Sequence, residues 1–133
     1  MIPSIAMSGP HKILLVDDSE ISLHFMAGVL ERAGFEVRST GEVHDLGTVL
    51  GGWRPDVILT DVEMPNISGV DLCRLLKSSY ETAHVPVVLF SSVPHDELAE
   101  LARDCEADGF LSKLGGLDRL PQELALLIDN TLF

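Results

Sequence analysis

The chain has 133 residues, a length for one domain, since domains cluster near about 100–150 residues. Hydrophobic residues make up 46% and charged residues 23%, the balance of a globular core and not of a disordered tail or a coiled-coil rod. Twenty-one acidic against nine basic residues give a net charge of −12; this repels phosphate backbones and anionic lipid, so no direct nucleic-acid or membrane binding is expected, and basic partners or bound cations are favoured.

No apolar run approaches the ~20 residues of a membrane span. Met1 to Pro10 lacks the charged start and apolar core of a signal peptide. Residues 1–11 are expected to form a disordered leader, and residues 12–133 a single domain. Cys73 and Cys105 share no ligand or redox motif, so neither a disulfide framework nor a zinc site is expected, and a reduced, cytoplasmic setting fits best.

In chain order, three short apolar runs stand out: Ile13 to Val16, Val57 to Leu59 and Val85 to Phe90. They are too short for typical helices and rich in β-branched residues. Such unalternating runs suit strands buried on both faces of a parallel sheet. Phe35 to Arg38 alternates apolar with charged and reads as an edge strand; Gly109 to Leu111 is a weaker candidate. Helical stretches lie between them. Ser19 to Ala33 carries Ile21, Phe25 and Val29 at i, i+4, i+8, with Ser19 as N-cap and Gly34 as stop. Glu42 to Leu50 is a weaker helix, interrupted by Gly47. Gly69 to Ser79 places Val70, Cys73 and Leu76 on one face. Asp96 to Cys105 and Leu117 to Thr131 complete the set, the last with Pro121 in its first turn. Strand then helix, five times over, predicts an α/β fold, a parallel sheet between helices with right-handed crossovers.

The polar residues fall at the strand ends. The first strand runs into Asp17 and Asp18, the third ends at Asp61, the fourth at Ser91, and the fifth just before Lys113. In an open α/β sheet, ligands bind beyond the carboxyl ends of the strands. Each residue taken singly has a plain structural reading: a loop and N-cap pair, a turn aspartate, a strand-end cap, a solvated lysine. Together they converge on one place. Three carboxylates that close need compensation, and a hard divalent cation such as Mg2+ supplies it. Lys113 is one of only three lysines in the chain, and Ser91 offers a hydroxyl. Carboxylate, cation, lysine and hydroxyl are the parts needed to form and hold an aspartyl phosphate.

Five segments together resemble the receiver domain of two-component response regulators: Lys12 to Ser19 (KILLVDDS), Val57 to Pro65 (VILTDVEMP), Gly69 to Leu72 (GVDL), Pro86 to Ser91 (PVVLFS) and Ala107 to Lys113 (ADGFLSK). The resemblance covers about Lys12 to Asn130. It implies a flavodoxin-like (βα)5 fold with strand order 2-1-3-4-5, of the single-domain chemotaxis-regulator type. It implies that Asp61 is the phosphoacceptor. Asp18 and Asp61 are implied as direct Mg2+ ligands, Asp17 as a ligand through water, and the backbone carbonyl of Glu63 as a further ligand. Ser91 is implied as the switch hydroxyl, Lys113 as the partner of the phosphoryl group, and Phe110 as the switch aromatic, its plain alternative being a core ring. A histidine kinase or phosphotransfer protein would be the donor, and a downstream protein would read the surface of the fourth helix, fifth strand and fifth helix. Such a chain is a signalling phosphoacceptor and not a dedicated enzyme.

Two positions depart from the family pattern. Leu114 stands where proline usually follows the lysine, so a trans bond and a differently placed loop are expected. Glu106 stands where glycine often ends the fourth helix, so a strained residue or a modified helix end is expected. These departures favour one alternative, a receiver-like interaction module that is never phosphorylated. A second alternative is a magnesium-dependent phosphatase of another α/β class. Such enzymes place their second acid two residues after the nucleophile on the first strand, whereas Asp17 and Asp18 are adjacent. The five histidines show no ligand spacing and are expected at the surface or in loops; both cysteines are expected to be buried.

Overall fold

The structure is a computed structural model and describes residues 11–42, 46–64, 67–79 and 82–132. Most of the leader, His44 and Pro65 lie outside these residues. Five strands alternate with helices: β1 (Lys12–Val16), α1 (Glu20–Arg32), β2 (Glu36–Thr40), α2 (Leu46–Leu50), β3 (Val57–Asp61), α3 (Gly69–Ser78), β4 (Val87–Ser91), α4 (His95–Asp104), β5 (Gly109–Ser112) and α5 (Leu120–Leu127). The strands are all parallel, in the order β2-β1-β3-β4-β5. This is the fold expected from the sequence. β4 begins two residues later than its apolar run, at Val87, and β2 is the edge strand that its alternation implies.

Strand alternation divides the core in two. Leu14, Ile58, Val87 and Leu89 face one layer, packed with Leu72, Cys73 and Leu76 of α3 and Leu98 of α4. Ile13, Leu15, Val57, Leu59, Val88 and Phe90 face the other, packed with Leu23, Met26 and Leu30 of α1 and Leu120 and Leu124 of α5. β1, β3 and β4 sit in the middle of the sheet and bury both faces, which is why their sequences do not alternate.

On α1 the expected stripe is corrected. Ile21 is 73% and Phe25 59% exposed; the buried row is Leu23, Met26 and Leu30. Two apolar rows run along this helix at helical spacing, and only one meets the sheet. The row that wins has Ala27 packed beside it. The ends of α1 follow the expectation: Ser19 Oγ accepts the Ser22 amide at 3.2 Å, and Gly34 takes φ 103°. The last helix is also corrected. Leu117–Arg119 is a 3-10 turn, α5 runs from Leu120 to Leu127, and a π turn closes the chain over Ile128–Leu132.

At the amino ends of the strands, two aspartates stitch the sheet in the same way. The Asp56 amide donates to the Lys12 carbonyl at 2.7 Å, and its Oδ2 accepts the Lys12 amide at 2.7 Å. The Asp108 amide donates to the Val87 carbonyl at 2.8 Å, and its Oδ2 accepts the Val87 amide at 2.8 Å. Each carboxylate also has a basic neighbour, His11 for Asp56 and Lys77 for Asp108. Cys73 and Cys105 are both buried free thiols. Burial first, and the neighbouring Cys105 thiol second, push the Cys73 thiol up to about 12, so it remains protonated and packs as a small apolar group.

Candidate functional site

The strand order reverses direction between β1 and β3, and in open α/β sheets ligands bind beyond the carboxyl ends at such a point. Asp17 and Asp18 follow β1 directly, and Asp61 ends β3. Each offers a carboxylate oxygen, and these three atoms lie within 4.8 Å of one another. Asp17 is buried, Asp61 partly buried and Asp18 exposed. Asp17 is fixed from its own loop: its Oδ1 accepts the Ser19 amide at 3.0 Å, and its own amide donates to Thr40 at 3.2 Å.

Lys113 enters this cluster from the end of β5. Its Nζ donates to Asp61 Oδ1 at 3.2 Å and to Asp17 Oδ2 at 3.4 Å. Its Nζ lies over the ring of Phe90, 5.3 Å from the centroid. Leu114 in place of proline does not displace the lysine. No peptide bond in the described residues is cis, and the Leu114 amide, which proline would lack, donates to Ser112 Oγ at 3.0 Å. That bond caps the short turn Lys113–Gly115 and sets the lysine's backbone.

Three carboxylates against one ammonium leave two negative charges uncompensated. The strain shows in Asp61: burial, offset by Lys113 and the Val62 amide and aggravated by Asp17, raises its carboxyl above the ordinary 3.8. A set of hard, anionic oxygen donors with this excess charge suits Mg2+.

Gly69 packs against the backbone that carries Asp61. It starts α3, and its amide donates to the Val62 carbonyl at 2.8 Å. A Cβ at this position would collide with the Asp61 carbonyl oxygen and come within 2.9 Å of the Val62 Cα. Only glycine lets the helix start rest on the backbone of Asp61. The sequence shows this glycine in a motif but gives no sign of the contact.

The remaining predicted residues are placed by the strands and helices that carry them. Ser91 ends β4, is fully buried, and accepts the Val93 amide at 3.2 Å. Ser91 stands one position beyond Phe90, the residue in register with Asp61 across β3 and β4. Phe110 lies beside Leu89 in the sheet and packs, half-buried, on the α3/α4 side. Glu63 is exposed. Glu106 takes φ 60°, the strained option of the two expected, and the Ala107 amide reaches back to Ala102 at 2.9 Å to close the helix end.

The family described as the response regulator receiver domain matches residues 13–125. Chemotaxis protein CheV2 of Helicobacter pylori is 46% identical over 57 residues, 43% of this chain and 18% of that protein. The polar-differentiation response regulator DivK of Brucella anthropi is 26% identical over 104 residues, 78% of this chain and 85% of that one. The chain thus spans less than a fifth of the first relative and most of the second. The structure of the chemotaxis response regulator CheY4 of Vibrio cholerae shares the fold, with a TM-score of 0.78 at 24% identity over 89% of this chain and 98% of that one. Fold, acidic crevice and family match agree: the chain belongs to the receiver domains of response regulators.

Proposed function

We propose that the chain is a phosphorylation-controlled signalling switch that accepts a phosphoryl group on Asp61. The observation that carries this is Lys113 Nζ bridging Asp61 and Asp17 inside the three-carboxylate cluster. An Asp61 carboxylate oxygen attacks the phosphorus of a phosphohistidine on a histidine kinase or phosphotransfer protein. A P–O bond forms, the P–N bond breaks, and the donor imidazole leaves with its electron pair. Asp17, Asp18 and Asp61, with the Glu63 carbonyl, would hold Mg2+, which would supply neutralisation of the phosphoryl oxygens. Lys113 moves its ammonium from the carboxylates to the phosphoryl group, and the Ser91 hydroxyl donates to another phosphoryl oxygen. The change passes to the surface of α4, β5 and α5, where Phe110 lies, and a downstream protein reads it as a population shift. The net charge of −12 and a helix set too short and polar to cross a membrane among the described residues fit a protein-to-protein role in the cytoplasm.

Intact mass after incubation with acetyl phosphate and Mg2+ tests this reading. The wild type gains one phosphoryl group; Asp61→Asn gains none, and neither does the wild type without Mg2+. No gain with any donor, together with no binding of fluoroberyllate, overturns it in favour of the interaction module. Glu63 follows Asp61 by two residues and is exposed, and its carboxylate is proposed to influence the water that attacks the phosphoryl group. Glu63→Gln changes the rate of loss of the phosphoryl group; equal rates by phosphate release remove Glu63 from that role.

A further inference from the structure

We infer that His95 is a positioning residue that couples the Ser91 loop to Phe110 and holds both in their unphosphorylated arrangement. The inference rests on the switch reading above and names the contact through which that switch works. The His95 ring meets the Phe110 ring edge-on, with centroids 5.2 Å apart and planes at 66°. It is the first side chain of α4, four residues after Ser91.

Two features make this contact consequential. The first is how the helix begins. α1 and α3 are capped by the Ser19 and Ser68 side chains, whereas α4 begins at Pro94 with no side-chain cap. Nothing of that kind fixes the start of α4. The second is the tether on the loop leading to it. Ser91 Oγ accepts the Val93 amide, and Val93 packs on the same core layer as Phe110. When the Ser91 hydroxyl turns toward a phosphoryl oxygen, the Val93 amide loses its acceptor. The loop Ser92 to Pro94 is released, and the ring contact of His95 with Phe110 is what resists its movement. A ligand that favours the released state must work against that contact, so removing the contact strengthens the ligand's binding.

The experiment is a fluoroberyllate titration with Mg2+ on the whole chain. His95 is 74% exposed in its side chain, so the substitutions leave the core untouched. His95→Ala is expected to bind fluoroberyllate about two- to tenfold more tightly than wild type, the range that follows from an aromatic pair. His95→Phe keeps the ring, cannot pair with Asp96, and returns the affinity to that of wild type. With Ser91→Ala as background, His95→Ala has no further effect, since the coupling passes through the Ser91 hydroxyl. Equal affinities for wild type and His95→Ala overturn the inference while leaving the switch reading intact, and so does an effect that persists in the Ser91→Ala background. Failure of the wild type to bind fluoroberyllate at all takes down the switch reading, and this inference with it.

Discussion

The same residue type does opposite work at the two ends of the sheet. At the amino ends, Asp56 and Asp108 each accept a strand-starting amide and stand beside a basic group. At the carboxyl ends, Asp17, Asp18 and Asp61 crowd together around one lysine. The first pair closes the hydrogen-bond ladders and is satisfied as it stands. The second set carries three carboxylates against one ammonium, the excess charge that the proposed Mg2+ would relieve. Stability and function are separated along the strand axis, and charge compensation marks which end is which.

The largest effect that divides the two ends is chemical. Asp61→Asn abolishes phosphoryl uptake, whereas Asp108→Ala leaves uptake unchanged, both read by intact mass. A loss of uptake in Asp108→Ala breaks the separation. In stability the order reverses. Asp108→Ala strands the Val87 amide and leaves Lys77 only the Val85 carbonyl, and is expected to cost about 1–3 kcal/mol in chemical denaturation.

Asp61→Asn instead stabilises the metal-free protein at neutral pH. The sign follows from the raised carboxyl. The folded state holds this proton more tightly than the unfolded chain, so stability falls as pH rises from 3.8 through the raised value. Above that window the ionised carboxylate is a standing penalty that asparagine lacks. Thermal melts of the two proteins should therefore diverge as pH rises across the window, and adding Mg2+ should close the gap by stabilising the wild type. Parallel melting curves at every pH contradict the view that the acidic end is undercompensated.

The smallest effect concerns Glu106. Its left-handed backbone costs about 1–2 kcal/mol, and glycine removes that cost but gives back about 0.4–1 kcal/mol through the freer unfolded chain. Glu106→Gly is thus expected to raise stability by at most about 1.6 kcal/mol, with phosphoryl uptake unchanged.

The central strands were legible because burial on both faces leaves a run that no surface strand shows. The acidic cluster was legible because Asp17, Asp18 and Asp61 stand at the ends of such runs, and Lys113 follows the weaker run of the edge strand β5. Three things were not. The face of α1 was misread because Ile21 and Phe25 imitate the spacing of Leu23, Met26 and Leu30, and the choice between them depends on how the helix meets the sheet. Asp56 and Asp108 look like ordinary turn residues, since the amides they accept are 44 and 21 positions away in the chain. Gly69 sits in a recognisable motif, but its contact with Asp61 exists only once β3 and α3 are side by side.

That contact has a consequence for motion. With the start of α3 pressed on the Asp61 backbone, the segment around this proposed phosphoacceptor has no room to shift, and it serves as a stationary frame. Movement is left to the other wall of the crevice, from Ser91 to the uncapped start of α4. Exchange on the microsecond-to-millisecond scale, where loop and helix displacements occur, belongs to that wall, and relaxation-dispersion NMR would see it at Val93, His95 and Phe110 while Asp61, Val62 and Gly69 stay quiet.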